Sequence, residues 1–199
     1  FSSFYWAASK GYLPVMERLM ELAPDKVQEM ISAGDYSAFQ AASRKRHLSV
    51  IERLIQFPSV FSYAEMHQRD YGAHYIRNFV GTQFIALEER RAALEADNPQ
   101  AVFDITDLEE AKLCFYILRN LIRRNNPELR DDIRFLIEIP SVKALLHTAV
   151  TPHQTNELLR LALSLGNQAG ARVLLTVPAV HALAVENNFY RQEARGGLY

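Results

Sequence analysis

Cysteine is almost absent from this chain, since Cys114 is the single thiol among its 199 residues. One thiol cannot form an internal disulfide, so the composition favours a reducing setting and an intracellular, cytoplasmic protein. No apolar run approaches the roughly 18 residues that a membrane span requires. The start Phe1-Ser2-Ser3 lacks the basic residues of a signal peptide. The sequence therefore predicts neither a membrane span nor a secretory leader.

An excess of either charge is also missing. The chain has 22 basic and 23 acidic residues, which gives a formal net charge of -1. Bulk attraction to nucleic acid or to an anionic membrane needs a positive surplus, so both are the weakest of the partner hypotheses. Apolar residues make up 49% of the chain and charged residues 23%, which is the composition of a globular domain and not of a disordered segment. The composition is therefore that of a globular domain with no electrostatic case for either of these partners.

The usual sequence signatures of catalysis are missing as well. The chain contains no glycine-rich phosphate loop, no Gly-x-Ser-x-Gly and no His-Glu-x-x-His. Cys114 lies in the apolar run 113–118, which favours a buried structural thiol over a nucleophile. We expect no catalytic residue, no cofactor and no small-molecule substrate in this chain. It also lacks an initiator methionine, so we expect a fragment of a longer protein.

A metal site has one candidate set of ligands. His67, Asp70 and His74 would share one side of a helix at positions i, i+3 and i+7, a spacing that zinc ligands can have. A closed zinc site needs a fourth ligand, and Cys114 is the only thiol available. Exposed polar residues are the preferred interpretation, so no metal is predicted.

What the chain does contain is a fourfold near-repeat in which an amphipathic helix is followed by proline. The copies, named repeats 1 to 4, read VMERLMELAP (15–24), VIERLIQFP (50–58), DIRFLIEIP (132–140) and GARVLLTVP (170–178). Such self-similarity indicates one supersecondary unit used repeatedly, with each copy burying its apolar face against its neighbours. Each repeat reads as two helices separated by a turn. The predicted fold class is all-α, with about four helix-turn-helix units.

The spacing of the copies predicts the organisation of the chain. Ala7-Ala8-Ser9 matches Ala41-Ala42-Ser43 at a spacing of 34 residues, whereas Val15 matches Val50 at 35, which predicts one residue added in the second turn. This period lies in the range of the ankyrin and tetratricopeptide classes. Repeat 3 is displaced by an insertion. The predicted domains are repeats 1 and 2 in 1–62, a helical insertion in 63–108, repeats 3 and 4 in 109–185, and the start of a following segment in 186–199.

One family resemblance rests on the first two turns. The segment AASKGYLPVME (7–17) resembles the middle of an ankyrin repeat, where two alanines, a Gly-His-Leu turn and an Ile-Val-Glu helix occur. Ala41-Ala42 followed by His47-Leu48 is similar, and Gly166 occupies the position of the turn glycine in repeat 4. The chain thus resembles a degenerate, ankyrin-like helical repeat solenoid with a helical insertion after its second unit.

Departures from the ankyrin pattern are equally specific. The Thr-Pro-Leu-His start of the family is absent, and the helix-like runs 60–64 and 142–146 replace its projecting fingers. Divergent repeats of this sort are similar to those in effector proteins of intracellular bacteria. The resemblance implies a protein-interaction module that binds a partner through a helical repeat surface, within an effector secreted into a host cell. The alternative is a supporting or substrate-recruiting domain of a larger enzyme whose active site lies outside this chain.

The insertion carries aromatic residues at a strict spacing of four. They are Tyr63, His67, Tyr71, Tyr75 and Phe79. On one helix they would form a stripe, which we name the aromatic stripe, followed by a second helix over 82–97. One interpretation is a docking surface, since tyrosine offers a large contact area at little cost in rotamer entropy. The other is packing of these rings against the repeats.

Basic residues cluster near two of the predicted turns. Arg44 and Arg46 lie in the turn of repeat 2, and Arg119 and Arg123 lie on the first helix of repeat 3, with further arginines at 124, 130 and 134. If these side chains face one groove, an acidic peptide or a phosphate could bind there. The alternative is solvated turns and helix ends, where basic residues complement the helix dipole. The predicted partner-binding residues are Tyr63, His67, Tyr71, Tyr75, Arg44, Arg46, Arg119 and Arg123.

Overall fold

The computed structural model describes residues 2–67, 73–149 and 156–186, and this part of the chain forms twelve α-helices and no strand. The predicted all-α class is therefore confirmed. The chain divides into two compact units, Phe1–Ala93 (unit 1) and Leu94–Tyr199 (unit 2). Unit 1 contains repeats 1 and 2, unit 2 contains repeats 3 and 4, and the boundary falls within the predicted insertion.

Unit 1 is built from the two helices of each repeat and the helices that follow them. Its helices are α1 (Ser2–Lys10), α2 (Leu13–Leu22), α3 (Val27–Lys45), α4 (Leu48–Leu54), α5 (Pro58–Met66) and the greater part of α6 (Ala73–Asp97). A short 3-10 turn, Pro24–Lys26, precedes α3. Helix α1 packs on α2 and α3, and α3 packs on α4 and α5. Ala7, Ala8 and Ala42 are buried at these contacts, because their small side chains let neighbouring helices approach closely.

Unit 2 repeats this arrangement. Its helices are α7 (Leu108–Arg124), α8 (Arg130–Glu138), α9 (Pro140–Thr148), α10 (Glu157–Ser164), α11 (Gln168–Leu174) and α12 (Pro178–Glu186). Helix α7 packs on α8, α9 and α10, while α11 packs on α8 and α10. The largest side chains of its core include Leu118, Ile122, Ile133 and Leu136, all fully buried. Asp107 starts α7 by accepting a hydrogen bond from the Glu110 N–H, as a helix cap does.

The repeated proline opens a third helix in repeats 2, 3 and 4. Pro58, Pro140 and Pro178 are the first residues of α5, α9 and α12. Proline suits this position because the first helical N–H has no acceptor within the helix and the ring already sets the required φ. The helix-like runs predicted at 60–64 and 142–146 are confirmed as parts of α5 and α9.

The turn between the first two helices shares one backbone feature in all four repeats. A single residue of each turn has left-handed backbone angles, and these residues are Gly11, Arg46, Asn125 and Gly166, at φ 75°, 59°, 47° and 69°. In repeats 1, 2 and 4 the N–H of the next residue bonds to a carbonyl five residues back. That carbonyl belongs to Ala7, Ala42 or Ala162. The pattern is a helix C-terminal motif that satisfies the last carbonyl groups.

These hydrogen bonds correct the predicted register. They align Ala7 with Ala42, a spacing of 35 residues that equals the spacing from Val15 to Val50. The predicted spacing of 34 residues rested on the match between the two Ala-Ala-Ser triplets in the sequence. Ala8 is therefore equivalent to Ser43. The Ala8 carbonyl accepts the N–H of the left-handed Gly11, and the Ser43 carbonyl accepts that of the left-handed Arg46. The prediction of one added residue in the second turn was therefore wrong.

Polar side chains at these turns hold successive repeats together. In unit 2, Asn167 donates from Nδ2 to the Ile122 carbonyl at 2.8 Å. In unit 1, the corresponding residue His47 places Nε2 3.1 Å from the Ser9 carbonyl, and Lys45 donates to the Ser9 hydroxyl at 2.8 Å. All three contacts reach from the turn of one repeat, or the helix end next to it, to the first helix of the repeat before it. The turn therefore sets the stacking distance as well as reversing the chain.

Helix α3 is broken near its middle. Ala33 is extended, and Gly34, Asp35 and Tyr36 all have left-handed angles. Such angles cost an L-residue roughly 1–2 kcal/mol each. Contacts with Tyr63 offset part of this cost, since its ring lies 4.6 Å from that of Tyr36 and its hydroxyl donates to the Asp35 carboxylate at 3.3 Å. The break separates the end of repeat 1 from the start of repeat 2.

The insertion differs from its predicted form. Helix α5 ends at Met66, because His67 leaves helical angles (φ -110°, ψ 34°). Helix α6 then runs without a break from Ala73 to Asp97, so the predicted second helix over 82–97 is the end of a longer one. The aromatic stripe is therefore not one face of a single helix.

Over residues 2–67, 73–149 and 156–186, no single helix is both long and apolar enough to span a membrane. The consecutive helices α11 and α12 reach the required length and apolarity only when taken together, and the chain bends sharply between them.

A remote carboxylate caps α9. Asp104 accepts hydrogen bonds from the N–H groups of Ser141 and Ile105 at 2.9 and 2.8 Å. Burial raises the pKa of Asp104, but these hydrogen bonds together outweigh it and hold the pKa below the ordinary value of 3.8. Because the folded pKa is lowered, the carboxylate stabilises unit 2 above about pH 4, and this contribution disappears as the pH falls through the folded pKa.

Asp104→Ala is expected to lower the free energy of unfolding by about 1 kcal/mol at pH 7, the usual value of a helix cap. The difference from wild type should shrink as the pH falls below 3.8, the ordinary value for this carboxyl group. Urea unfolding followed by circular dichroism across this pH range measures it. Asp97→Ala is the control, because it removes an exposed carboxylate at the end of α6. A loss that is the same at every pH would contradict the assignment to the ionised cap.

Candidate functional site

The strongest candidate site is a cleft in unit 1 between α4 and α6, which we name the α4–α6 cleft. Its volume is ≈ 570 Å³, within the usual range of ligand pockets. Its lining residues are Leu48, Ile51, Glu52, Ile55, Gln56, Tyr75, Asn78, Phe79, Thr82 and Gln83. They occupy one face of each helix, at the three- and four-residue spacing of an α-helix. Repeat 2 and the insertion thus contribute equally to this site.

The cleft combines an apolar floor with a polar rim. Ile51, Ile55 and Phe79 are buried, whereas Leu48 at one end is 52% exposed. A large apolar side chain left half exposed beside a buried apolar floor is a common feature of interaction sites. Glu52 is the single ionisable acid or base of the lining other than Tyr75, and no ion pair involves it in the part of the chain that the structure describes. The cleft therefore suits an apolar side chain next to a cation.

The predicted aromatic stripe is divided between packing and the cleft. Tyr63 is only 5% exposed, its hydroxyl accepts a hydrogen bond from Gln40 Nε2 at 2.8 Å, and the ring of His67 stacks on it at 4.3 Å. Tyr63 thus packs inside unit 1 and leaves little surface for a partner. Tyr75 is half-buried and lines the α4–α6 cleft. Tyr71 lies outside the described residues.

The predicted arginines are divided between the two units, two in each. Arg44 and Arg46 are exposed at the end of α3, and Arg44 bonds to Gln40 of its own helix. In unit 2, the side chain of Arg119 is 12% exposed, lies 3.6 Å from the Glu157 carboxylate and covers the ring of Tyr116. Its charge is therefore largely compensated. Arg123 is exposed in the last turn of α7, where a positive charge complements the helix dipole.

Comparison with solved structures identifies a relative of this chain. Over 90% of its length the chain is 47% identical to an ankyrin repeat family protein from Legionella pneumophila whose crystal structure is known, with a TM-score of 0.85. The resemblance predicted from the sequence is confirmed. This is an ankyrin-like repeat chain. It spans about half of that relative, 53% of its length. No protein-family model matches the chain, and no curated protein is significantly similar to it.

The remaining chemical candidates of this ankyrin-like chain are the single thiol and the possible zinc ligands. Cys114 is buried in α7, as the apolar run around it predicts. Among the described residues, no group of three His, Cys, Asp or Glu side chains is placed to hold a metal ion. Of the possible zinc ligands, Asp70 lies outside the described residues, and His74 is described only as part of the α6 backbone.

Sequence reasoning missed the α4 half of the cleft. Leu48, Ile51 and Ile55 belong to an amphipathic pattern, which favours a core helix in any repeat protein. One signal of a different role was available, because His47-Leu48 places a large apolar residue directly after a turn, where side chains are usually exposed. That signal alone does not indicate which helix would lie opposite.

Proposed function

We propose that this ankyrin-like chain is a protein-interaction module that binds a segment of a partner protein in the α4–α6 cleft. The observation that carries the proposal is the half-exposed Leu48 beside the buried floor of Ile51, Ile55 and Phe79. Ankyrin repeat folds are typically non-catalytic and bind proteins. Tyr75 adds an aromatic ring with a hydroxyl group, a residue type that often dominates binding energy.

The lining chemistry favours one type of partner segment. An aliphatic side chain would cover the apolar floor, and a lysine or arginine next to it would pair with Glu52. The polar groups of Gln56, Asn78 and Gln83 could bond to the backbone of the segment. Burial of one such side chain is worth roughly 1.5–3 kcal/mol. The Legionella pneumophila relative, from an intracellular bacterium, supports the further proposal that the partner is a host-cell protein.

Leu48→Glu is the direct test of the cleft. Random peptides displayed on phage are first selected on the wild-type chain, and the dissociation constants of the enriched peptides are measured by fluorescence anisotropy. We expect an aliphatic residue next to a basic one in these peptides. Leu48→Glu should weaken their binding at least about tenfold, since it places a charge at the mouth of the apolar floor. Glu52→Gln should cost a smaller, salt-dependent factor.

Leu22→Glu is the matched control. Leu22 is a leucine of α2 in the same unit, is 65% exposed and does not line the cleft. Its replacement should leave the affinities unchanged, and melting curves should be similar for both variants. Selected peptides that bind Leu48→Glu as well as wild type would show that the cleft is not the site. Failure to select any peptide would count against peptide binding altogether.

A second candidate function is support or substrate recruitment for an enzyme. It is favoured by one observation, that the chain spans only 53% of its Legionella pneumophila relative. If the remainder of such a protein carries an active site, the α4–α6 cleft would hold the substrate protein near it. In that case Leu48→Glu in the longer protein should raise KM for a protein substrate and leave kcat unchanged. An unchanged KM would exclude this role for the cleft.

A further inference from the structure

A second cleft lies in unit 2, between the turns of repeats 3 and 4. We name it the turn cleft; its volume is ≈ 380 Å³. One wall is formed by Pro127 and Arg130 and the other by Gln168 and Arg172. The two turns are joined by Asn125, whose Nδ2 donates to the Leu165 carbonyl at 2.9 Å. The cleft is therefore a defined feature of the repeat stacking and not a gap between independent loops.

The charges of the turn cleft have one sign. Arg130 and Arg172 are its charged lining residues, and no carboxylate lines it. In the part of the chain that the structure describes, neither guanidinium has an ion-pair partner, in contrast to Arg119 with Glu157. The nearest acidic residues in sequence are Glu128, Asp131 and Asp132, and none of them lines the cleft; the first two are exposed and the third is half-buried.

One further detail concerns access to the cleft. Gly166, a lining residue, has no side chain, and a Cβ built there would meet no atom within 4 Å. A ligand can therefore approach the backbone of this turn closely. The site offers two guanidinium groups, the amide of Gln168 and an accessible backbone at Gly166.

We propose that the turn cleft binds a phosphate monoester carried by a protein, namely a phosphorylated serine or threonine of a binding partner. A guanidinium donates two parallel hydrogen bonds to a phosphate, and two guanidiniums can together contact its three terminal oxygens. The Gln168 amide supplies a neutral donor for the adjoining peptide. This site lies in unit 2, so the proposal does not depend on peptide binding in the α4–α6 cleft.

The test uses the full 199-residue chain and a short peptide with one central phosphoserine. Titration calorimetry compares this probe with the unphosphorylated peptide and with a version that has glutamate at the same position. We expect the phosphopeptide to bind with a dissociation constant of about 1 mM or below, and the other two peptides to bind at least about fivefold more weakly. Inorganic phosphate should displace the phosphopeptide, since the phosphate group makes the main contacts.

Three variants locate the site. Arg130→Gln and Arg172→Gln should each weaken phosphopeptide binding by about fivefold or more, and the double variant should abolish it. Arg160→Gln is the control, because Arg160 is an exposed arginine of α10 in the same unit and does not line the cleft. Circular dichroism melts should be alike for all of them, since the three side chains are exposed.

The proposal is overturned if the phosphopeptide does not bind at about 10 mM, a concentration well above the affinity expected of a specific site. It is also overturned if the glutamate peptide binds equally well, or if Arg160→Gln weakens binding as much as Arg130→Gln, because either result indicates general attraction between charges. Inorganic phosphate that binds more tightly than the phosphopeptide would identify the free anion, and not a phosphorylated protein, as the ligand of the same site.

Discussion

Asn156→Ala is expected to lower the free energy of unfolding of unit 2 by about 3 kcal/mol. Asn156 is 1% exposed and makes three hydrogen bonds. Its Oδ1 accepts from the N–H groups of Leu158 and Leu159 at 3.1 and 3.2 Å, and its Nδ2 donates to the Leu146 carbonyl at 2.7 Å. The side chain thus starts α10 and ties it to α9.

The size of this effect follows from burial. Loss of a helix cap costs about 1 kcal/mol in most proteins, and each buried polar group left without its partner costs roughly 1–3 kcal/mol more. Denaturant unfolding followed by circular dichroism measures the change. Asn126→Ala is the control, since Asn126 caps the 3-10 turn Pro127–Leu129 through a similar bond to the Glu128 N–H but is only half-buried. Its replacement should cost about 1 kcal/mol or less.

Asn156→Asp separates the effect of the capping hydrogen bonds at the start of α10 from that of the hydrogen bond to α9. Aspartate keeps an acceptor for the Leu158 and Leu159 N–H groups but cannot donate to the Leu146 carbonyl when ionised. This variant should therefore be less stable than wild type, and the loss should diminish at low pH, where the carboxyl group is protonated and can donate. Asn126→Asp should show only a small loss, because the contact that it removes, from Asn126 Nδ2 to the Glu128 carboxylate at 3.4 Å, is exposed. Equal stability of Asn156→Asp and wild type at pH 7 would mean that the bond to Leu146 contributes nothing.

Gly11→Ala is expected to lower the free energy of unfolding of unit 1 by roughly 2–3 kcal/mol, from two separate causes. The φ of Gly11 is +75°, and left-handed angles cost an L-residue about 1–2 kcal/mol. In addition, a Cβ at this position would lie 2.7 Å from Nδ1 of His47. The imidazole would have to move, and its contact with the Ser9 carbonyl would be lost.

Gly166→Ala measures the cost of the left-handed backbone angles without a steric clash. The φ of Gly166 is +69°, close to that of Gly11, but a Cβ there meets nothing within 4 Å. Gly166→Ala should therefore cost only the backbone term, about 1–2 kcal/mol. Gly81→Ala in α6 should be neutral or stabilising by up to about 1 kcal/mol, because helical alanine is favoured over glycine and the added methyl group also meets nothing.

A double-variant cycle tests the second cause. If the clash with His47 contributes, Gly11→Ala should cost less in a chain that also carries His47→Ala, and the two effects should be less than additive. Strict additivity would show that the imidazole moves aside at no cost. The measurement is the same denaturant unfolding, with unit 1 followed by the fluorescence of Trp6, the single tryptophan of the chain.

Local features of the fold were predictable from the sequence because their causes are local. The amphipathic segments of the four repeats are helical in the structure, as predicted. Gly11 and Gly166 lie in turns for the reason expected of glycine. Arg46 and Asn125 occupy the equivalent turn position in the other repeats, and the sequence did not indicate this, since neither is glycine. Hydrogen bonds at the helix ends define that position more strictly than residue type.

The sequence alone determined that this chain is all-α, repetitive and ankyrin-like, because helix periodicity, proline at a helix start and glycine at a helix end act within a few residues. Tertiary structure decided the rest. Tyr63 became part of the packing and Tyr75 part of a cleft, although both share the same four-residue spacing. Arg119 lies next to the Glu157 carboxylate, whereas Arg130 and Arg172 line the turn cleft. These outcomes depend on which distant helices meet, and a pattern that repeats along one helix carries no information about its neighbour.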